Sequence, residues 1–168
     1  MGFRQPQLIL EQAKKITLSP RQALLKAEKY CAYQERCQQE VRDKLYEWGL
    51  YSNDIENIIA QLILDNFLNE ERFAKAFAGG KFRIKKWGRV KIKFELKKRK
   101  ISEYCIKKAI QEIKEDDYIE TIKILIEKKA KDIKDVNLRI RNYKMVKYIA
   151  SKGFEQDLIF DLLKQNTD

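Results

Sequence analysis

The stretch IKFELKKRKISEYCIKKAI (residues 92–110) decides the fold once it is laid beside two others, VRDKLYEWGLYSNDIENII (residues 41–59) and MVKYIASKGFEQDLIFDLL (residues 145–163). Leu96, Leu45 and Ile149 are the anchors, spaced 51 and 53 residues apart along the chain. Five positions after each anchor stand Ile101, Leu50 and Phe154. Five further on stand Ile106, Ile55 and Ile159, and each copy closes on an apolar pair, Ala109-Ile110, Ile58-Ile59 or Leu162-Leu163. No copy needs an internal gap. An internal period of about fifty residues is the mark of stacked structural units.

Each copy reads as a helix, a tight turn and a second helix. Val41/Leu45, Ile92/Leu96 and Met145/Ile149 put apolar groups on one helical face. Gly49 and Gly153 stand where a left-handed residue ends the first of the two helices. The middle copy has Lys100 there, at a cost of roughly 1 kcal/mol relative to Gly. Asn53-x-x-Glu56 and Ser102 read as caps of the following helix.

A further helix precedes each pair. The first opens at Ser19-Pro20-Arg21-Gln22, a capping box with Pro at the first helical position, and carries Leu24, Leu25, Ala27 and Cys31. The second opens near Asn69 with Phe73, Ala74 and Phe77; the third opens near Asp117 with Ile122, Leu125 and Ile126 on its buried side. The expectation is an all-α fold of three tandem three-helix repeats, at 19–64, 65–115 and 116–168, stacked into an elongated, curved array. Residues 1–18 are expected to be loosely ordered. Residues 89–97 alternate apolar and charged groups, a strand-like pattern, but their sister segments do not alternate, and helix is the reading adopted.

Composition agrees. Six Gly and two Pro in 168 residues leave too little turn chemistry for a sandwich of many short strands. A 44% apolar share supports a core, while 36% charged residues and a mean hydropathy of −0.59 point to a water-facing exterior. No apolar run reaches the roughly 18 residues that span a bilayer, and Leu8-Ile9-Leu10 is too short for a signal peptide core. A cytoplasmic location with free thiols at Cys31, Cys37 and Cys105 is expected. With no histidine and no Cys-x-x-Cys pair, neither zinc nor another metal or cofactor is expected.

The net charge of +11 is concentrated. Residues 81–100 hold eleven basic side chains against Glu95 alone, a field that attracts polyanions. Lys81, Arg83, Lys85, Lys86, Arg89, Lys91, Lys93, Lys97 and Lys98 are the candidate binding residues, with Trp87 and Phe94 read as mainly structural. Catalytic readings are weaker. Glu95-x-Lys97 with Asp65 would suggest a metal-dependent nuclease only on a strand within a mixed sheet. Gly79-Gly80-Lys81 lacks the Ser/Thr and upstream Gly of a phosphate loop, and reads as a break between helices. The cysteines have no histidine to activate them. No enzyme is expected.

The segment LNEERFAKAFAGGKFRIKKWGRVKIKFELKKRKIS (residues 68–102) resembles the middle repeat of the RecX family of recombination regulators. The matching elements are Leu68-Asn69-Glu70, Phe73-Ala74, the basic residues 81–86, Gly88-Arg89, Ile92, Glu95-Leu96 and Lys100-Ile101. Two departures stand out: Glu70 where Asp is common, and Lys100 where Gly is usual. The resemblance extends from about Ser19 to the last residue. It implies a non-enzymatic modulator that binds the groove of the RecA filament on single-stranded DNA, meeting the strand directly or through the filament, and inhibits ATP hydrolysis, strand exchange and coprotease activity. A monomer is expected. The alternative is a general nucleic-acid-binding helical module without a recombinase partner.

Overall fold

The computed structural model describes residues 17–165, and among these lie nine α-helices and no strand. They fall into three groups of three: α1 (Pro20–Tyr33), α2 (Gln38–Glu47), α3 (Ser52–Leu64); α4 (Glu70–Lys85), α5 (Arg89–Lys98), α6 (Glu103–Gln111); α7 (Glu115–Asp132), α8 (Leu138–Ser151), α9 (Gln156–Gln165). The fold is all-α, with tandem three-helix repeats. The alternating segment at 89–97 is helical, as the repeat pattern requires.

The apolar echo becomes the core. Leu45, Leu96 and Ile149 are fully buried, as are Ile55 and Ile159, with Ile106, Leu50, Ile101 and Phe154 close behind. The middle helix of each repeat ends in a residue of positive φ: Gly49 at 86°, Lys100 at 58° and Gly153 at 90°. Beyond that residue the Leu50 N–H returns to the Leu45 carbonyl, and the Ile101 N–H to that of Leu96. This backbone reversal folds the apolar residue after the turn onto the helix it has just left.

Side-chain caps mark several helix starts. Ser19 and Gln22 form the reciprocal capping box, while Asn69 and Ser102 accept from the Arg72 and Cys105 N–H groups. The Asn53-x-x-Glu56 expectation is corrected: α3 begins at Ser52, its cap is Tyr51, and Glu56 instead pairs with Arg42. The third repeat opens at Glu115, two residues before Asp117. In α1 the buried stripe is Ala23, Ala27 and Cys31, which leaves Leu25 outward. Gly79-Gly80 is no break, because α4 runs through it. The Arg83 guanidinium fills the space beside Gly79 that a Cβ would enter.

The junctions between repeats differ. Repeats 2 and 3 share one continuous core, which Cys37 of repeat 1 also enters; the rest of repeat 1 packs separately, with Phe67 and Leu68 closing it. At the second junction the Gly88 N–H donates to the Lys152 carbonyl at 2.9 Å and the Val90 N–H to that of Gly153 at 3.0 Å. A Cβ on Gly88 would stand 2.1 Å from the Gly153 oxygen, so the approach requires glycine. The Leu18 N–H makes the equivalent bond to Trp48 at the turn of repeat 1. Leu18 also packs on that repeat's core; residues 1–16, for which loose order is expected, lie outside the described residues.

Tyr118 pins the second junction. It is fully buried between Phe82 and Phe154, and its hydroxyl accepts from the Arg89 backbone N–H while donating to the Glu155 carboxylate at 2.6 Å. Burial, then the bond to Glu155, raises the phenol pKa far above its usual value. Y118F strands an acceptor and a donor, and should cost about 1–3 kcal/mol in urea unfolding. Because the folded pKa is raised, this stabilisation is complete below the unfolded tyrosine pKa of about 10 and is lost as pH rises beyond it. Stability measured from pH 9 upward should therefore fall more steeply in the native chain than in Y118F.

Candidate nucleic-acid interface

The basic window occupies the end of α4, the corner after it and the whole of α5. α4 closes with Lys86 in the left-handed region (φ 53°), and the Trp87 N–H returns to the Lys81 carbonyl. That six-residue closure brings the two side chains together, with the Lys81 ammonium 5.0 Å from the Trp87 ring centre. Lys91 lies over the same ring at 4.6 Å, and Phe77 meets it edge-on. Trp87 is half-buried and packs on the shared core.

The nine candidate cations do not form one surface. Arg89 is structural: its side chain is 18% exposed, pairs with Glu115 and stacks 4.0 Å from the Tyr118 ring centre. Arg83 lines a shallow pocket with Glu112 and Asp117, apart from α5. Lys97 is held by Glu103 at 2.7 Å. Lys81 and Lys91 gather at Trp87, while Lys85, Lys86, Lys93 and Lys98 are exposed. Among the described residues, no carboxylate lies within ion-pair distance of Lys85, Lys86, Lys93 or Lys98. Glu95 lies within electrostatic reach of Lys98, but no ion pair holds any of the four, and their charge reaches solvent at both ends and along the outer face of α5.

Two residues outside the candidate binding set also belong to this face. Phe94 is 65% exposed, so its structural assignment is corrected; helical projection alone sets it opposite the buried Ile92 and Leu96 and could have revealed this. Lys100 is exposed at the far end of α5, in the place that glycine takes in the sister turns. Lysine at positive φ is strained, and here the strain sits inside the basic window.

Catalytic chemistry finds no support in this geometry. Helical α5 removes the strand on which the nuclease reading rests, and the Arg99 guanidinium beside Glu95 lowers that carboxyl's pKa. No group of three or more Asp, Glu or Cys among the described residues could hold a metal ion. Burial pushes the Cys31 thiol up to about 11 and raises that of Cys37, the opposite of nucleophile activation. No helix among the described residues is long and apolar enough to cross a membrane.

Three consecutive three-helix units, the middle one carrying a basic face, define a helical protein of the tandem-repeat class. Family models match all three units: the first RecX three-helix domain at residues 23–62, the second at 69–110 and the third at 115–163. The chain belongs to the RecX family. It is 27% identical over 146 residues to the regulatory protein RecX of Bacillus thuringiensis strain Al Hakam, covering 87% of this chain and 54% of that protein. The identity and coverage are the same for the RecX of Bacillus anthracis strain CDC 684 / NRRL 3495. The chain thus spans about half the length of these curated relatives. The crystal structure of RecX from Lactobacillus salivarius superposes with a TM-score of 0.78 at 25% identity, covering 87% of this chain and 95% of that one. A second RecX crystal structure, at 21% identity and a TM-score of 0.77, covers 84% of this chain and 71% of its own and shares the fold.

The division of labour among the cations is measurable. R89A should cost about 1–3 kcal/mol in thermal or urea unfolding, since it strips the charged hydrogen bond and the cover over Tyr118. K93E and K98E should stay within about 0.5 kcal/mol of the native chain. K100G should raise stability by about 0.5–1 kcal/mol through relief of the left-handed strain.

Proposed function

We propose that this chain binds the RecA filament on single-stranded DNA and modulates, chiefly by inhibition, its ATPase, strand-exchange and coprotease activities. It would thereby regulate recombination, DNA repair and the SOS response. Membership of a family of regulatory proteins through all three repeats carries the reading. The exposed lysines of α5 and its flanking corner fit a long anionic fibre, because phosphates release counterions when cations replace them. In this reading the chain works as a cytoplasmic monomer and carries out no chemistry of its own.

A second reading, a nucleic-acid-binding module with no recombinase partner, draws on the same unpaired lysines, which would serve any polyanion. RecA ATPase on single-stranded DNA, measured with and without the chain, separates the two. Inhibition is expected, and K85E/K86E/K93E/K98E should remove most of it while leaving the helical circular dichroism unchanged. Arg89 is kept out of that set because its loss would unsettle the fold. An unaltered ATPase together with steeply salt-dependent DNA binding would favour the second reading.

A further inference from the structure

The outward face of α5 offers more than charge. Along it Val90 and Phe94 stand one turn apart, 53% and 65% exposed. At 100° per residue, Lys93 and Lys97 fall on one side of this apolar stripe and Lys91 and Lys98 on the other. Lys86 and Lys100, both exposed and both at positive φ, stand at its two ends. Packing explains none of this: Ile92 and Leu96 on the opposite face already secure the helix to the core.

The composition of the face discriminates between kinds of partner. The centres of protein–protein interfaces are depleted in lysine, because burying an ammonium removes its hydration. A solitary aromatic ring ringed by lysines suits a chain that alternates flat apolar bases with phosphates. Single-strand binders combine those two elements, and stacking tolerates any base because every base has a π-face. Lysine in place of glycine at the α5–α6 turn strains the backbone, and a phosphate contact gives that strain a use. The ten residues of α5 extend about 15 Å, room for a few nucleotides.

We infer that the outer face of α5 binds single-stranded DNA directly, with Phe94 stacked on an unpaired base and Lys86, Lys93, Lys98 and Lys100 meeting the flanking phosphates. This rests on the proposed function and deepens it: the face touches the strand rather than the recombinase that coats it.

The test uses the full chain and two fluorescein-labelled probes of equal length and charge, an oligo-dT and an abasic oligonucleotide, read by anisotropy without RecA. The native chain should bind oligo-dT roughly tenfold tighter than the abasic probe. F94A should lose that advantage and F94W should keep it, with abasic binding unchanged in both. Exposure of Phe94 means that neither variant should alter helicity, which circular dichroism checks. Equal binding of both probes by the native chain, or full oligo-dT affinity in F94A, overturns the inference. RecA ATPase assayed on the same proteins keeps the two claims apart. If F94A retains oligo-dT affinity but loses inhibition, the ring contacts the recombinase; the stacking assignment then falls while the proposed function stands. If the native chain prefers oligo-dT through Phe94 yet leaves RecA unaffected, stacking stands and the recombinase reading falls.

Discussion

A single backbone constraint organises this molecule: the middle helix of every repeat is left through a residue in the left-handed region. That conformation turns the chain sharply enough for the next apolar residue to fall back onto the helix, and it points the closing carbonyls outward. The inward consequence is the buried set spaced by five residues. The outward consequence, at Trp48 and Lys152, is an acceptor that receives the backbone of the preceding element. The core thus follows from all three torsions, and backbone docking from two of them.

The junctions show what happens when the residues at that contact change. Gly88 and Gly153 allow main chain to meet main chain, and repeats 2 and 3 merge into one core around Tyr118. At the first junction the corresponding residues are Cys37 and Lys100. No backbone bond is made there among the described residues. Instead, Arg72 reaches Glu35 and Arg99 faces Glu40, with partly exposed side chains. Such pairs are weak and salt-sensitive beside a buried network. Repeat 1 accordingly keeps its own core.

Much of this was legible in the sequence because burial is periodic. Leu45, Leu96 and Ile149 announce the core through spacing alone, and Ser19, Asn69 and Ser102 announce helix starts through capping chemistry. What stayed hidden depended on contacts distant in the chain. Arg89 looks like its neighbouring cations until Tyr118 and Glu115 are seen beneath it. Gly79-Gly80 looks like a break until α4 is seen to run through it, with the Arg83 guanidinium packed beside Gly79. Phe94 reads as structural for a different reason: local alternation obscures the helical register that the sequence already carries. The basic window was visible as composition, but its division into a clamp, an aromatic corner and an open face required three dimensions.

The bond from Leu18 to Trp48 repeats, with different residues, the bond from Gly88 to Lys152. One donor belongs to a short lead-in and the other to the start of a helix, yet the receiving socket is the same. A socket that recognises only polypeptide backbone is indifferent to what the docking segment spells. Where the main chains can approach, as at Leu18 and Gly88 but not between Cys37 and Lys100, a unit therefore receives its neighbour without a matching set of side chains.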